Sequence, residues 1–201
     1  MQHDLITETI TEYVGAYYAC DYDEVRSHAL RDSLSQGQLY SKIRALQSVH
    51  ENIRGSTPFT GYFIGHWHGF LPRIFWKHGL LRCARGVELD PFWVEFSQRL
   101  NADWDWQSET GDINTVAHDL GQYNLIVNTS CEHMTDDWLK LPRAGTWVCA
   151  QTTDYQHPTH INTCESVQEF QSRFSDYHVF RAYSDQYNVY SRFTIIAIKI
   201  K

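Results

Sequence analysis

The residues whose types and spacing suit chemistry are Gly65-His66-Trp67-His68-Gly69, Glu88, Asp112-Ile113, and Asn128, Glu132 and His133. Gly65 and Gly69 let a backbone turn sharply and let a ligand lie against it, although any strand-to-helix turn asks for the same residues. Glu88 ends a short apolar run. A carboxylate at the end of a buried strand can accept hydrogen bonds from both hydroxyls of a ribose. Asp90 competes for that role, but Pro91 behind it marks a helix cap. Asp112 can accept from a purine amino group while Ile113 packs on the ring, and a surface aspartate in a loop would read the same. Asn128, Glu132 and His133 leave the most apolar run of the chain, where an imidazole can take a proton from a hydroxyl or amine near neutral pH. Satisfied polar groups at a helix start are the plainer account of the same three.

Other chemistries find less support. His66, His68, Cys131, His133, His157 and His160 offer ligand atoms, but no tight pair-and-pair spacing joins them, and no metal is expected. A dinucleotide fold wants glycine at three positions where this chain has Gly65, Trp67 and Phe70, and no glycine-lysine phosphate loop is present. Lysine and arginine total 17 against 24 aspartates and glutamates, a formal charge of -7, which disfavours a nucleic acid as partner. The 5 cysteines form no close pairs, as expected of reduced cytoplasmic thiols. No stretch approaches a membrane span and no basic, apolar leader opens the chain, so no membrane partner is expected. The 12 tyrosines, 10 phenylalanines and 7 tryptophans suit an aromatic-lined pocket or a bulky core.

The elements that position these residues follow from hydropathy. Residues 3–54 read as two or three helices: Leu5, Ile6, Ile10, Tyr13, Val14 and Tyr17 recur at helical spacing, as do Leu39, Ile43, Leu46 and Val49. Asp21, Asp23 and Ser35 are candidate helix starts and Gly37 a break. Residues 51–58 form a polar linker, so 1–57 is a helical extension or lid and 58–201 the main domain. There, strand, glycine turn, helix, strand and helix follow one another between Tyr62 and Leu100, the pattern of a parallel α/β sheet. Gly111 to Ile113 ends a short third strand, 114–120 is a brief helix, 123–129 a central strand, and 135–139 a short helix. A fifth strand over 146–151, a helix over 164–174 and a hairpin turning at Ser184-Asp185-Gln186 complete an α/β Rossmann-like sheet, mostly parallel with an antiparallel C-terminal strand. The tail supplies an edge strand that leaves a second copy of the chain open as a partner.

In this order the motifs resemble the class I S-adenosylmethionine-dependent methyltransferases over residues 58–201. Gly65 to Gly69 matches their glycine run, Glu88 the acidic end of their second strand, and Asp112 the polar residue after the third. Thr129 to Met134 is similar to the turn after their fourth strand, and Leu141 to Gly145 to the turn before their fifth. The glycine run is divergent: Trp67 replaces its middle glycine, and residues 60–64 lack the usual acidic residue. The resemblance implies S-adenosylmethionine as cofactor, held by Gly65, Trp67, Gly69, Glu88, Asp112 and Ile113, with the Trp67 ring facing the sulfonium. It implies methyl transfer to an unidentified small molecule, with His133, Glu132 and Asn128 at the reacting end. The divergent run also fits a non-catalytic protein that keeps the fold to bind a ligand or partner, and the same pocket could serve an enzyme that degrades the cofactor. A nucleic-acid acceptor ranks lower, since Asn128 does not open an Asn-Pro-Pro-Tyr run.

Overall fold

The structure is a computed structural model that describes residues 2–19, 24–53, 58–115 and 119–201. Three helices come first, α1 (Gln2–Tyr18), α2 (Glu24–Ser33) and α3 (Gln36–Asn52). Ser35 caps α3 through its Oγ, which accepts the Gln38 N–H at 3.4 Å. Asp21, Asp23 and the expected boundary at 57 lie outside the described residues. Gly37 does not break a helix. It lies in the first turn of α3, where a Cβ would sit 2.1 Å from the Tyr190 hydroxyl, so the glycine makes room for that ring.

A seven-stranded sheet follows, built from β1 (Phe59–Ile64), β2 (Leu81–Glu88), β3 (Trp106–Thr110), β4 (Leu125–Asn128), β5 (Trp147–Thr153), β6 (Tyr177–Gln186) and β7 (Ser191–Lys199). Its order is β3-β2-β1-β4-β5-β7-β6. Neighbours from β3 to β5 are parallel, and β7 runs antiparallel to both β5 and β6. The Rossmann-like sheet expected from sequence is therefore present. Helices α4 (Phe70–Lys77), α5 (Pro91–Leu100) and α6 (Val167–Ser172) connect the strands. Asp90 caps α5, its Oδ1 accepting the Phe92 N–H at 2.9 Å, with Pro91 at the first helical position.

Several boundaries differ from expectation. Strand β2 begins at Leu81, well before Gly86, because Leu81 and Ala84 are buried while Arg82 and Arg85 point outward, and Arg85 pairs with Asp105. The helix expected over 114–120 is not seen among the described residues, which show a turn through Asp112–Thr115 and a 3₁₀ turn at Leu120–Gln122; residues 116–118 lie outside them. The helix expected near 135–139 is also 3₁₀, Asp136–Lys140. Helix α6 begins only after Ser166, whose Oγ accepts the Glu169 N–H, because Cys164 is still tied to the Thr153 carbonyl of β5. The last hairpin turns at Tyr187–Tyr190, not at Ser184-Asp185-Gln186, which stay in the ladder opposite Phe193, Arg192 and Ser191.

Strand alternation sorts the core onto both faces of the sheet. Phe63, Val127 and Cys149 face α1, α3, α4 and α5, where Tyr13, Leu46, Val49, Phe75 and Phe96 pack. Tyr62, Ile64, Ile126 and Val148 face the other way, against Trp138, Phe170 and Phe174. Helix α1 is clamped to α4 by charge: Arg73 meets Glu12 at 3.1 Å and also Asp103, and Lys77 meets Glu8 and Glu12 at 2.7 Å. Helix α3 is held to the C-terminal hairpin by Ser48 with Tyr183, Glu51 with Arg181, and Arg44 with Asp185. No helix among the described residues is long and apolar enough to cross a membrane.

Candidate ligand cavity

A cavity of about 1230 Å³ opens where β1, β2 and β4 end, with Asp32, Gln38 and Lys42 of the N-terminal helices among its walls. Carboxyl ends of parallel strands are where α/β sheets present ligands. Gly65, Trp67, Glu88, Asp112 and Ile113 all line it, so the structure brings together five residues that are scattered in sequence. The turn after β1 takes left-handed backbone at Gly65 (φ 58°), Trp67 (φ 53°) and Gly69 (φ 76°). Such a conformation at tryptophan needs bracing. Glu88 supplies it: one carboxylate oxygen accepts the Trp67 N–H at 2.8 Å, and the other accepts the N–H groups of Leu89 and Asp90 at 2.8 and 3.3 Å. Burial raises the Glu88 pKa, and these three donors oppose it. One lone pair, on the oxygen that accepts Trp67, is left for the cavity. Asp112 is half-buried with Oδ1 accepting the Asn114 N–H at 2.9 Å, and Ile113 is buried beside it.

Gly69 is not among the cavity-lining residues. It starts α4, and an added Cβ would stand 2.6 Å from the Cβ of Ser97, so this glycine lets α4 and α5 pack closely. The Trp67 ring lines the cavity while packing against His68 and Trp93, with Lys42 Nζ 5.9 Å from its centroid. The two histidines of the turn are buried. His66 donates from Nδ1 to the Trp67 carbonyl at 2.8 Å and bonds Ser108 Oγ through Nε2, and burial pushes it down to about 4. His68 packs on Tyr13, and burial pushes it well below the usual histidine range.

The far half of the cavity is titratable. Glu132 and His133 line it, whereas Asn128 is fully buried below, accepting the Ser130 N–H at 3.0 Å and donating to the Met134 sulfur at 3.2 Å. Glu132 Oε1 lies 3.7 Å from Arg192 Nη2, and both side chains are buried. His133 is bonded through Nδ1 to the Thr159 carbonyl at 3.2 Å, and desolvation lowers its pKa. Sequence reasoning missed three neighbours here, Lys42, Tyr190 and Arg192, while His160, named from sequence only among scattered ligand atoms, joins them. Lys42 is 6% exposed and donates to Gln38 Oε1 at 2.7 Å; burial, then the Arg192 charge, pushes it down to about 7. Its signal was a lysine inside the apolar stripe of Leu39, Ile43 and Leu46. Arg192 gave a similar one, a cation opening the apolar run of β7.

No protein-family model and no curated protein sequence matches the chain. Solved structures do match. The N-methyltransferase NodS from Bradyrhizobium japonicum WM9 aligns with a TM-score of 0.64 at 12% identity, over 84% of this chain and 99% of its own. Geranyl diphosphate C-methyltransferase from Streptomyces coelicolor A3(2), in complex with Mg2+, geranyl diphosphate and S-adenosyl-L-homocysteine, aligns with a TM-score of 0.63 at 12% identity, over 82% of each chain. The B. subtilis tRNA methyltransferase TrmK aligns with a TM-score of 0.56 at 13% identity, over 77% of this chain and 65% of its own. At such identities the likeness is one of architecture: the chain has the Rossmann-like fold that these methyltransferases share.

Proposed function

We propose that this protein binds S-adenosylmethionine between Gly65, Glu88 and Ile113 and transfers its methyl group to a small molecule held near Glu132, His133 and Lys42. The observation that carries this reading is the single cavity that joins a braced strand-end carboxylate to a titratable half. When bound, the cofactor supplies an electrophilic methyl on a sulfonium. The chain's own residues do the rest. Glu88 accepts from a ribose hydroxyl, Asp112 and Asn114 border the adenine, and Ile113 packs on its ring. Gly65, with no side chain, leaves room for the amino-acid part. Lys42 pushed down to about 7 and the neutral His133 can each hold a proton released by the acceptor. Transfer to a good nucleophile otherwise needs in-line placement more than a strong base. Support also comes from the geranyl diphosphate methyltransferase, crystallised with S-adenosyl-L-homocysteine.

Calorimetric titration with S-adenosylmethionine and S-adenosylhomocysteine tests the reading, on wild type and on Glu88→Ala checked for folding by circular dichroism. Micromolar binding that weakens at least about tenfold in Glu88→Ala, the loss of one charge-assisted hydrogen bond or more, is expected. Absence of binding to either ligand at millimolar concentration would overturn it. Binding without transfer of labelled methyl to hydroxyl, amine or thiol acceptors would instead favour a ligand-binding protein that keeps the fold.

A further inference from the structure

We infer that Glu132, His133 and His160 form a binding site for one divalent first-row transition-metal cation in the far half of the cavity. One ligand atom from each residue lies within 4.8 Å of those of the other two, a spacing that a single ion can span. The histidines are prepared as metal ligands usually are. His133 Nδ1 faces the Thr159 carbonyl at 3.2 Å and His160 Nδ1 faces the Tyr155 carbonyl at 2.7 Å. A carbonyl cannot donate, so each Nδ1 carries the proton and each Nε2 keeps a free lone pair. Glu132 gives an independent sign: its Oε2 is buried and has no hydrogen-bond partner, while Arg192 stands beside Oε1. A buried carboxylate oxygen left bare is uncommon unless something absent from the protein chain meets it.

The backbone holds the three together. The Glu132 carbonyl accepts both the Ile161 N–H at 2.8 Å and the Asn162 N–H at 3.1 Å, which seats the loop bearing His160 beside the turn bearing His133. Asn162 adds bonds to the Met134 carbonyl at 2.9 Å and to Asp136 at 2.8 Å. Two imidazoles and one carboxylate leave coordination positions open, as in catalytic zinc and non-haem iron sites. Arg192 and Lys42 nearby disfavour a hard cation held by charge alone, which points to an ion that imidazole binds strongly.

A cation here would take an oxygen of the methyl acceptor, so the acceptor class becomes a hydroxyl. With His133 Nε2 on the ion that ring could take no proton, so the hydroxyl would lose its proton to water, its oxygen lone pair would form the new C–O bond, and the electron pair of the breaking C–S bond would return to sulfur. This last step rests on the methyl-transfer reading above; the metal site does not.

Equilibrium dialysis of the full chain against Zn2+, with metal content measured by mass spectrometry, and the visible spectrum of the Co2+ form test the site. One equivalent of zinc is expected on wild type and on His178→Ala, an exposed control on β6. His133→Ala and His160→Ala should each weaken binding at least about 100-fold, since even outer partners of ligands are worth 10–100-fold. No stoichiometric uptake by wild type, or unchanged affinity in His160→Ala, would overturn the site; both histidine positions are open enough for the variants to fold, whatever becomes of Glu132→Gln. Titration with S-adenosylmethionine on the same samples separates the two readings. Cofactor binding without zinc removes only the metal site, and zinc binding without cofactor removes only methyl transfer. Hydroxyl methylation at an equal rate after chelation would refute the role given to the cation.

Discussion

Acidification should destabilise this protein through His66, and the size of the effect follows from where the ring sits. His66 is 6% exposed, packed edge-on against Trp106 and bonded at both nitrogens. Burial pushes it from 6.5 down to about 4. The unfolded chain therefore takes up a proton near pH 6.5, while the folded chain resists until about pH 4. Stability is complete above pH 6.5 and falls as pH drops through that window, by about 1.4 kcal/mol for each pH unit crossed, or about 3 kcal/mol in all. Urea unfolding of wild type and His66→Gln, each at about pH 7 and about pH 4.5, isolates this contribution from the carboxylates the two share. Wild type should lose about 2.5 kcal/mol more than the variant across that interval. Parallel losses in the two proteins would refute the argument, because they would mean that the ring is wet or charged in the native state.

Gly69→Ala places a Cβ at left-handed φ and within 2.6 Å of Ser97, so it should destabilise the fold by about 2–4 kcal/mol in chemical denaturation. Asp90→Ala should cost about 1 kcal/mol as a lost helix cap yet leave S-adenosylmethionine affinity at the wild-type level; loss of binding would move the ribose contact away from Glu88. With Lys42 pushed down to about 7 from 10.5, wild type should gain stability, by about 3 kcal/mol between about pH 7 and 9.5, as the unfolded chain holds the proton and the folded one releases it. Lys42→Met should show no such rise. Arg73→Ala removes the centre of the clamp on Glu12 and Asp103, and amide exchange in α1 should quicken while that in β4 stays slow.

The sheet was legible because its central strands are continuous apolar runs, and Asp90-Pro91 signals a helix start that needs no tertiary context. Ser35 was legible for the same reason. What failed was whatever depends on a distant partner. Gly37 looks like a helix breaker until Tyr190 is seen lying on it. Gly69 looks like a ligand contact until Ser97 is found behind it. Asn128 carries the right chemistry at the right strand end, but its side chain turns inward to Ser130 and Met134. His160 lies far along the chain from His133, and backbone and side-chain bonds between the two loops, the double hydrogen bond to the Glu132 carbonyl among them, bring the pair together. Alternation at β2 was obscured because Arg82 and Arg85 are outward residues in a strand whose inward ones are small or widely spaced.

The fastening of α3 to the last hairpin also bears on the order in which a ribosome can complete this molecule. Ser48 and Glu51 find Tyr183 and Arg181 only across 135 and 130 residues of chain. The helix carrying Lys42 is synthesised early and can pack Leu46 and Val49 against α1 and α4, yet its polar ties to the last hairpin must wait until β6 and β7 have emerged. During elongation its hairpin-facing side must stay unpaired, and the cavity gains the wall made by Tyr190 and Arg192 only as synthesis nears the final strands. A nascent chain halted before Tyr177 would carry the glycine turn and Glu88 in place beneath an open top.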